Sequence, residues 1–279
     1  MRVSNVKVFE YDSKLADVIE FNSLNEFYDY IMKTPINNAF KNKKLSSLRD
    51  GELGKKFTQT NSFEEAVELF KNGWSDMSNE LNKELKKIDV KTKQTMKRKS
   101  TLSVCGYQAV VPLYLNGVPN NMVNNRLVPV KQKVITLNKS ISYNCNVTTE
   151  QIIEESIKTL QIIKNLESQG YRCNLNILWA FHDDNDKKFV IKIKVKSSNE
   201  KLNISKLAFP LVHPSMLRRL LFRFVEVYPN STRSLTNGYG YPIIDTKLKN
   251  ASFHKNGEYL LPAFITKNIE EISSIDDLV

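Results

Sequence analysis

Hydrophobic and polar positions follow a strand period, then a helical period, then a strand period again between residues 127 and 228. The helical part is the most regular, and its apolar residues return about once per turn: Ile153, Ile157, Leu160, Ile163 and Leu166. Thr148 followed by Gln151 has the spacing of a capping box, and Gly170 stands where a residue with positive φ commonly ends a helix. The pattern predicts an amphipathic helix over residues 149–169.

The segments on both sides of this helix alternate with a period of two, which is typical of strands buried on one face. The strand predicted before the helix, 128–137, sets Val130 and Val134 against Lys131 and Lys133. The two strands predicted after it carry these apolar residues: Cys173, Leu175, Ile177 and Trp179, then Phe189, Ile191, Ile193 and Val195. The second of them alternates with Lys192, Lys194 and Lys196. Turn-forming residues at 183–186 join the two, which predicts a β-hairpin with a basic outer face.

A second helix is predicted from Pro214, which suits a first helical position, to the residue before Pro229, which cannot extend it. It carries a broad apolar stripe, and its charged residues mark the opposite side: Arg219, Arg223 and Glu226. A last strand is predicted between Tyr259 and Ile265. The order βαββαβ predicts the α+β class with a ferredoxin-like, split βαβ domain.

The predicted parts of the chain are a helical, basic N-terminal part over 1–100, an apolar proline-containing connection over 101–126, the ferredoxin-like domain over 127–266 and an acidic tail over 267–279. Capping patterns at Ser23 and Ser62 begin helices in the N-terminal part. The polar segment 37–60 is interpreted as a loop that is either mobile or ordered by a partner. The connection is apolar enough to be buried, so we expect a strand or loop packed across the main domain.

Three groups of residues carry a resemblance: Ser62-Phe63-Glu64-Glu65-Ala66 running into Gly73-Trp74, Val111-Pro112 with Leu115-Asn116-Gly117-Val118-Pro119, and His213-Pro214-Ser215-Met216-Leu217-Arg218-Arg219. The combination, scattered from about residue 62 to residue 225, resembles a family of uncharacterised bacteriophage proteins. The resemblance implies a phage or prophage setting. It brings no established activity and no catalytic residues with it.

Charge and cysteine usage narrow the class of partner and the compartment. The chain has 41 Lys and Arg against 30 Asp and Glu, and its net charge of +11 favours an acidic partner such as nucleic acid. Three widely spaced cysteines form neither a disulfide framework nor a CxxC metal clamp. The first residues lack the apolar core of a signal peptide, and no apolar run approaches the ~20 residues that cross a bilayer. We therefore expect a soluble protein of the host-cell cytoplasm, or of the virion, without a membrane partner.

Catalytic signatures are absent from the sequence. The histidines, His182, His213 and His254, lie in no metal-ligand or triad pattern, and no phosphate-binding loop, dinucleotide fingerprint or nucleophile elbow is present. His182 beside Asp183 and Asp184 is the only arrangement suited to a metal, and the same residues make a good hairpin turn. We expect no cofactor and no enzymatic activity.

The leading hypothesis is nucleic-acid binding through the open face of the sheet. The first and third strands of a ferredoxin-like domain are neighbours, so the following lysines are expected to share one surface: Lys131, Lys133, Lys192, Lys194 and Lys196. Further phosphate contacts are expected from Lys97, Arg98 and Lys99 in the basic stretch 83–99. This face has no aromatic residue at alternate positions for base stacking, which predicts binding without sequence preference. The other interpretation is a solvated lysine face that prevents edge-to-edge pairing.

The rival hypothesis belongs to a different class and needs no nucleic acid. The phage resemblance and the absence of catalytic signatures are also typical of a virion component, or of a phage factor that binds a host protein in host takeover or anti-defence. The purified protein distinguishes the two hypotheses. A defined homo-oligomer or a captured host protein, without affinity for DNA or RNA at moderate salt, favours the rival.

Overall fold

The computed structural model describes residues 1–7, 15–87, 96–129, 132–232, 234–235, 239–243, 248 and 257–265. The strands are β1 (Arg2–Lys7), β2 (Leu15–Phe21), β3 (Met96–Ser103), β4 (Gln108–Ala109), β5 (Met122–Pro129), β6 (Lys133–Ser140), β7 (Tyr171–His182), β8 (Lys188–Lys196), β9 (Tyr241–Pro242) and β10 (Glu258–Leu261).

The helices are α1 (Leu24–Lys33), α2 (Glu52–Thr58), α3 (Phe63–Asn72), α4 (Ser75–Lys86), α5 (Val111–Leu115), α6 (Thr149–Ser168), α7 (Ile204–Val212) and α8 (Phe222–Val227). A 3-10 turn lies at Asn38–Phe40, and a π-helical segment, Met216–Leu221, runs directly into α8. No helix in the described ranges has both the length and the apolar composition needed to cross a membrane.

One large mixed sheet organises the molecule, with the strand order β1-β2-β8-β7-β6-β10 and the short β9 beside β7. Strands β6 and β7 are parallel, and α6 connects them. Strand β8 returns antiparallel to β7 as the predicted hairpin, and β2 from the N-terminal part lies parallel to β8. The predicted last strand is also present, as β10, which lies parallel to β6 at one edge.

The α+β class is confirmed, but the sheet does not have the ferredoxin-like order. In that arrangement the first and third strands of the unit are neighbours, whereas here β7 lies between β6 and β8. The reason is that α6 crosses between two strands that pair directly instead of skipping a strand. The alternation of hydrophobic residues is the same in both arrangements, because it reports which face of a strand is buried and not which strand lies beside it.

Local signals set the bounds of the predicted helices. Helix α6 begins at Thr148, whose hydroxyl accepts from the Gln151 N–H while the Gln151 side chain accepts from the Thr148 N–H, so the capping box is complete. Gly170 follows the helix with φ +92°, a conformation that favours glycine. The second predicted helix begins at Pro214 and ends before Pro229, with the π-helical segment inside it.

A single large core lies on the helix-covered face of the sheet. The N-terminal part contributes to this core rather than forming one of its own, since Phe27 and Leu81 belong to the same buried cluster as Leu160 and Ile191. A smaller cluster, which includes Ala180 and Val190, covers part of the opposite face. The N-terminal part also supplies β1 and β2 to the sheet. Its strands therefore belong to the large sheet, and its helices pack against the core of that sheet.

The segment 37–60, predicted as a loop, contains the 3-10 turn and α2, and it is held by hydrogen bonds to buried charged residues of the second predicted helix. Arg219 is 0 % exposed and donates to the carbonyl oxygens of Ser47 and Thr60, each at 3.0 Å. Glu226, also buried, accepts from the Ser47 N–H at 3.0 Å. Arg219 and Glu226, which lie opposite the apolar stripe of the second predicted helix, are thus buried as well. A buried charge is tolerated when hydrogen bonds satisfy it.

Residues 96–129, named here the small sheet, form a second unit with the strand order β3-β5-β4 and the helix α5. The expectation that 101–126 packs across the main domain is wrong, since no residue of that range is buried. The backbone groups of β3 and β5 pair with each other from Met96 to Pro129, so the segment satisfies its hydrogen bonds without joining the core. Gly106 permits the connection between β3 and β4 to approach β5, because a Cβ there would lie 2.1 Å from the Val123 carbonyl oxygen.

Candidate functional site

The lysines expected on one open face are not brought together. Strand β7 separates β6 from β8, so Lys133 does not neighbour the lysines of β8. Lys133 also shares its strand face with the buried Ile135 and Leu137, which places it on the helix side of the sheet, whereas Lys192 is on the other side. Lys131 lies outside the described residues. The expected five-lysine surface is therefore not formed by the described chain.

Lys192 is 7 % exposed and lies inside an ion-paired cluster that we call the polar band. Its ammonium nitrogen lies 2.6 Å from Oε2 of Glu258 and 3.8 Å from Oε1 of Glu20. The Asn138 side chain donates to the same Glu258 oxygen at 3.1 Å, and the Asn176 side chain donates to Asn138 Oδ1 at 2.8 Å. The polar band, made of these five residues, spans β2, β8, β7, β6 and β10. It neutralises the lysine and ties the strands together.

Lys196 is also buried and neutralised. Its ammonium lies 2.7 Å from Oε1 of Glu167 on α6 and 2.9 Å from the Cys173 carbonyl oxygen. A β-bulge causes this, because the register between β7 and β8 shifts and leaves Val195 without an opposite residue. Lys194 is half-buried. Of the lysines predicted on β8, two serve the fold and none is a fully exposed cation.

The second predicted group lies on the small sheet and is exposed. Lys97, Arg98 and Lys99 are consecutive on β3, and each is exposed to solvent. Lys99 is directly opposite Arg126 of β5, and Lys97 is opposite Val128. Residues opposite each other on antiparallel strands share a face, so Lys97, Lys99 and Arg126 form one surface, named here the cationic strip.

In the part of the chain that the structure describes, no carboxylate neutralises the cationic strip. Residues 90–149 contain no Asp and no Glu. Within the described ranges, neither the strip nor Arg98 makes an ion pair. Arg126 was missed by charge clustering because it is far from Lys99 in sequence. The sequence signal that includes Arg126 is the long stretch without acidic residues. The pairing of β3 and β5 in the structure then places Arg126 beside Lys99.

Three described titratable groups with large pKa shifts, Cys173, His213 and Tyr239, are structural. Burial raises the pKa of the Cys173 thiol to about 12, with Glu167 adding to the effect, and burial lowers the pKa of His213 to about 4. Burial and the neighbouring Glu226 raise the pKa of Tyr239. All three side chains are uncharged near pH 7 and lie in the core. They are poorly placed for proton transfer to a substrate in solvent.

The residues around His182 form the predicted turn. Asp183 accepts from two backbone N–H groups of the turn, and its second oxygen accepts from the hydroxyls of Thr232 and Ser234, both at 2.7 Å. Burial alone acts to raise the pKa of Asp183, but these hydrogen bonds outweigh it and hold the pKa below its ordinary value. No group of three or more His, Cys, Asp or Glu side chains in the described part of the chain is arranged to hold a metal. His254 lies outside the described residues.

The mixed sheet, its helical cover and the exposed small sheet define an α+β protein that carries an accessory cationic unit. Residues 13–275 match the model of a family described as a domain of unknown function, DUF7192, so the chain belongs to that family. No curated protein and no solved structure matches the chain.

Proposed function

We propose that this protein binds nucleic acid through the cationic strip of the small sheet, as a non-enzymatic binding module. The observation that carries the proposal is the cross-strand placement of Lys97, Lys99 and Arg126, which are exposed and make no ion pair with a carboxylate among the described residues. Like charges directly opposite on two strands are unfavourable. A phosphate backbone relieves that repulsion and releases its own counterions on binding.

The proposed contact is with phosphates and has no sequence preference. Strands β3 and β5 contain no aromatic residue, so they offer no platform on which bases could stack. Flexible ammonium groups bind phosphate as point charges, and Arg126 adds one bidentate donor. Arg98 projects from the other face of β3, opposite Leu127, and contributes long-range attraction.

The setting proposed for this activity is a phage or prophage, with the protein acting in the host cytoplasm or carried in the virion. The support for this setting is the resemblance of the motifs at 62–74, 111–119 and 213–219 to uncharacterised bacteriophage proteins. A phage protein that coats or transports nucleic acid needs affinity without base readout, which matches the chemistry of the cationic strip.

A salt titration tests the proposed site. Binding of labelled single- and double-stranded oligonucleotides is measured by fluorescence anisotropy for the wild type and for the triple variant Lys97→Gln, Lys99→Gln, Arg126→Gln. For each phosphate that the variant no longer neutralises, the slope of log affinity against log salt becomes shallower by about 0.9 for duplex DNA and about 0.7 for single strands. We expect the triple variant to bind weakly, with a correspondingly shallower slope.

The matched control removes the same charge elsewhere, by Lys55→Gln, Lys56→Gln and Lys86→Gln at exposed helical positions. The control is expected to retain the wild-type slope, because these lysines lie outside the small sheet. Equal weakening of binding in both variants would show that only net charge matters and would remove the strip as the site. No binding by the wild type would end the proposal. Charge reversal at Lys192 or Lys196 is not a test, since those residues hold the fold together.

A second candidate function is protein binding, in a virion component or a host-interaction protein. The observation that favours it is the exposed apolar end of the small sheet, where Leu115 and Tyr114 face solvent. Exposed apolar patches of this kind mark interaction surfaces. A partner protein retained after nuclease treatment, with unchanged retention by the Lys97, Lys99 and Arg126 variant, would favour this function over nucleic-acid binding.

A further inference from the structure

The end of the small sheet away from Lys97 and Arg126, residues 100–125, is named here the tip. It contains no Asp, Glu, Lys, Arg or His. It nevertheless exposes large apolar side chains: Leu102, Val104, Tyr107, Val111, Tyr114, Leu115 and Val118. None of its residues is buried. An uncharged surface this rich in exposed apolar groups is typical of an interface.

The tip has both a projection and a recess. Leu115, at the end of α5, is 76 % exposed, which is the highest value among the large apolar side chains of the described residues. The preceding residue, Tyr114, lines an open and mostly apolar pocket of about 550 Å³, together with Val104, Ala109, Asn121 and Met122. A projecting leucine next to an apolar recess is the shape that a self-complementary contact requires.

The charge distribution favours a second copy of this chain over other occupants. A partner protein of different sequence is usually steered by complementary charge, and an anionic lipid surface by cations among the apolar residues. The tip has no charge among its own residues from Ser100 to Asn125, and the nearest cations in sequence, Lys99 and Arg126, lie where the tip begins and ends and not among its apolar side chains. Two identical tips can approach each other without placing like charges in contact.

Symmetry and size agree with this occupant. In a two-fold contact, residue i of one copy meets residue j of the other and j meets i, so one projection and one recess per copy are used twice. A stable interface takes roughly 20–30 residues from each side, so a dimer held by the run 100–125 must use most of its residues. Burial of the exposed apolar groups supplies the driving force.

We propose that the tip is the interface of a homodimer, in which Leu115 of each copy enters the pocket lined by Ala109 and Met122 of the other. The proposal does not depend on nucleic-acid binding. If both hold, the dimer presents two cationic strips to one nucleic acid, which raises affinity through multivalency.

Salt separates the two proposals. Each copy carries a net charge of +11, so long-range repulsion opposes dimer formation and is screened as salt rises. We expect the dimer to strengthen with increasing salt, whereas phosphate binding weakens. If only one of these two salt dependences is observed, the proposal that predicts the other one has failed.

The test is sedimentation equilibrium of the full chain without nucleic acid, for the wild type, Leu115→Ser and Ala109→Trp. Leu115→Ser removes the projection and Ala109→Trp fills the recess. The matched control is Leu53→Ser on α2, since Leu53 is 72 % exposed and lies outside the small sheet. Unfolding midpoints of all variants establish that each remains folded.

The wild type is expected to be a dimer at micromolar concentration. Leu115→Ser and Ala109→Trp are each expected to raise the dimer dissociation constant at least about tenfold, as truncation of a central apolar anchor does. Leu53→Ser is expected to leave it unchanged. A wild type that remains monomeric at high salt would overturn the proposal, as would a dimer that both tip variants retain. Monomeric wild type that binds vesicles or another protein through Leu115 would assign the tip to that occupant instead.

Discussion

Individual residues in this protein separate into charges that serve the fold and charges that face solvent, and net charge alone does not distinguish them. Arg219 and Arg98 are both arginines in basic stretches. Arg219 is completely buried among carbonyl and hydroxyl oxygens, whereas Arg98 is exposed on an accessory strand. Truncating the first leaves buried acceptors without donors, and truncating the second leaves none. Only the second kind of residue can be altered to test binding.

His213 provides a test of residue-scale burial through pH. Its Nδ1 accepts from the Ser215 N–H at 3.1 Å, its ring stacks on Phe209 and meets the edge of Trp74, and Glu65 is the nearby charge that partly opposes the effect of burial. Burial lowers the pKa of His213 from 6.5 to about 4.

Between pH 6.5 and about 4 the unfolded chain therefore holds a proton on His213 that the folded chain does not bind. The free energy of unfolding is expected to fall by about 3 kcal/mol as pH drops through that window, and to be insensitive to His213 above it. The measurement is urea unfolding at several pH values, beside His213→Asn, whose amide oxygen can still accept from Ser215. The asparagine variant is expected to lack this part of the slope. Identical slopes for both proteins would mean that His213 titrates normally.

An ion pair between strands of the large sheet uses a lysine that the sequence pattern places on the surface. Strand β10 is short and lies at the edge of the sheet, and its Glu258 reaches across β6 and β7 to Lys192 on β8. Lysine on alternate strand positions is commonly a solvated edge feature. Here the ion pair between Lys192 and Glu258 crosses the face of the sheet instead. The side-chain amides of Asn138 and Asn176 complete the hydrogen bonds of the polar band.

Removal of the Lys192 ammonium is expected to destabilise the chain. Lys192→Met removes the ammonium that lies between Glu258 and Glu20, and loss of one partner of a buried ion pair costs about 3–5 kcal/mol. The free energy of unfolding is measured by urea denaturation. The control is Lys99→Met, which replaces an exposed lysine on β3 and is expected to change stability by less than about 0.5 kcal/mol. Equal effects of the two changes would contradict the structural role assigned to Lys192.

The described residues form a large sheet with one extensive core and a small sheet, of which no residue from 96 to 128 is buried. The large core and the small sheet contribute differently to the stability of the folded chain. Burial of the large core supplies most of the stability, while the small sheet keeps its apolar side chains in solvent. The small sheet is the part of the described chain to which both of our proposals assign contacts with another molecule.

Removal of the tip is expected to leave the large sheet folded. Lys99 and Arg126 are directly opposite each other, so a short Asn-Gly turn can replace residues 100–125. At a protein concentration at which both are monomeric, the free energy of unfolding of this variant is expected to match that of Leu115→Ser within about 1 kcal/mol, since no residue of the tip is buried. Thermal and urea unfolding at the same protein concentration measure it. A loss of cooperative unfolding would show that the tip supports the core.

Elements with local signals could be predicted directly from the amino-acid sequence. The capping box at Thr148, the glycine at position 170 and the proline at position 229 set helix ends, because each acts on backbone groups within a few residues. The hairpin of β7 and β8 followed from alternation and a polar turn. The basic residues 97–99 were also identified as candidates for binding, although their role stays a prediction.

Features that depend on distant partners required the folded arrangement of the chain. The alternation expected in β6 buried Val134, but the structure buries Ile135 and exposes Val134, since the choice of face belongs to the sheet that the strand joins. Distant contacts also decide three other features: the position of β7 between β6 and β8, the burial of Arg219, and the placement of Arg126 opposite Lys99. Periodicity records only that a strand or helix has two faces. Which face is buried, and whether a charge meets water or a carboxylate, is fixed by long-range contacts that the linear pattern does not contain.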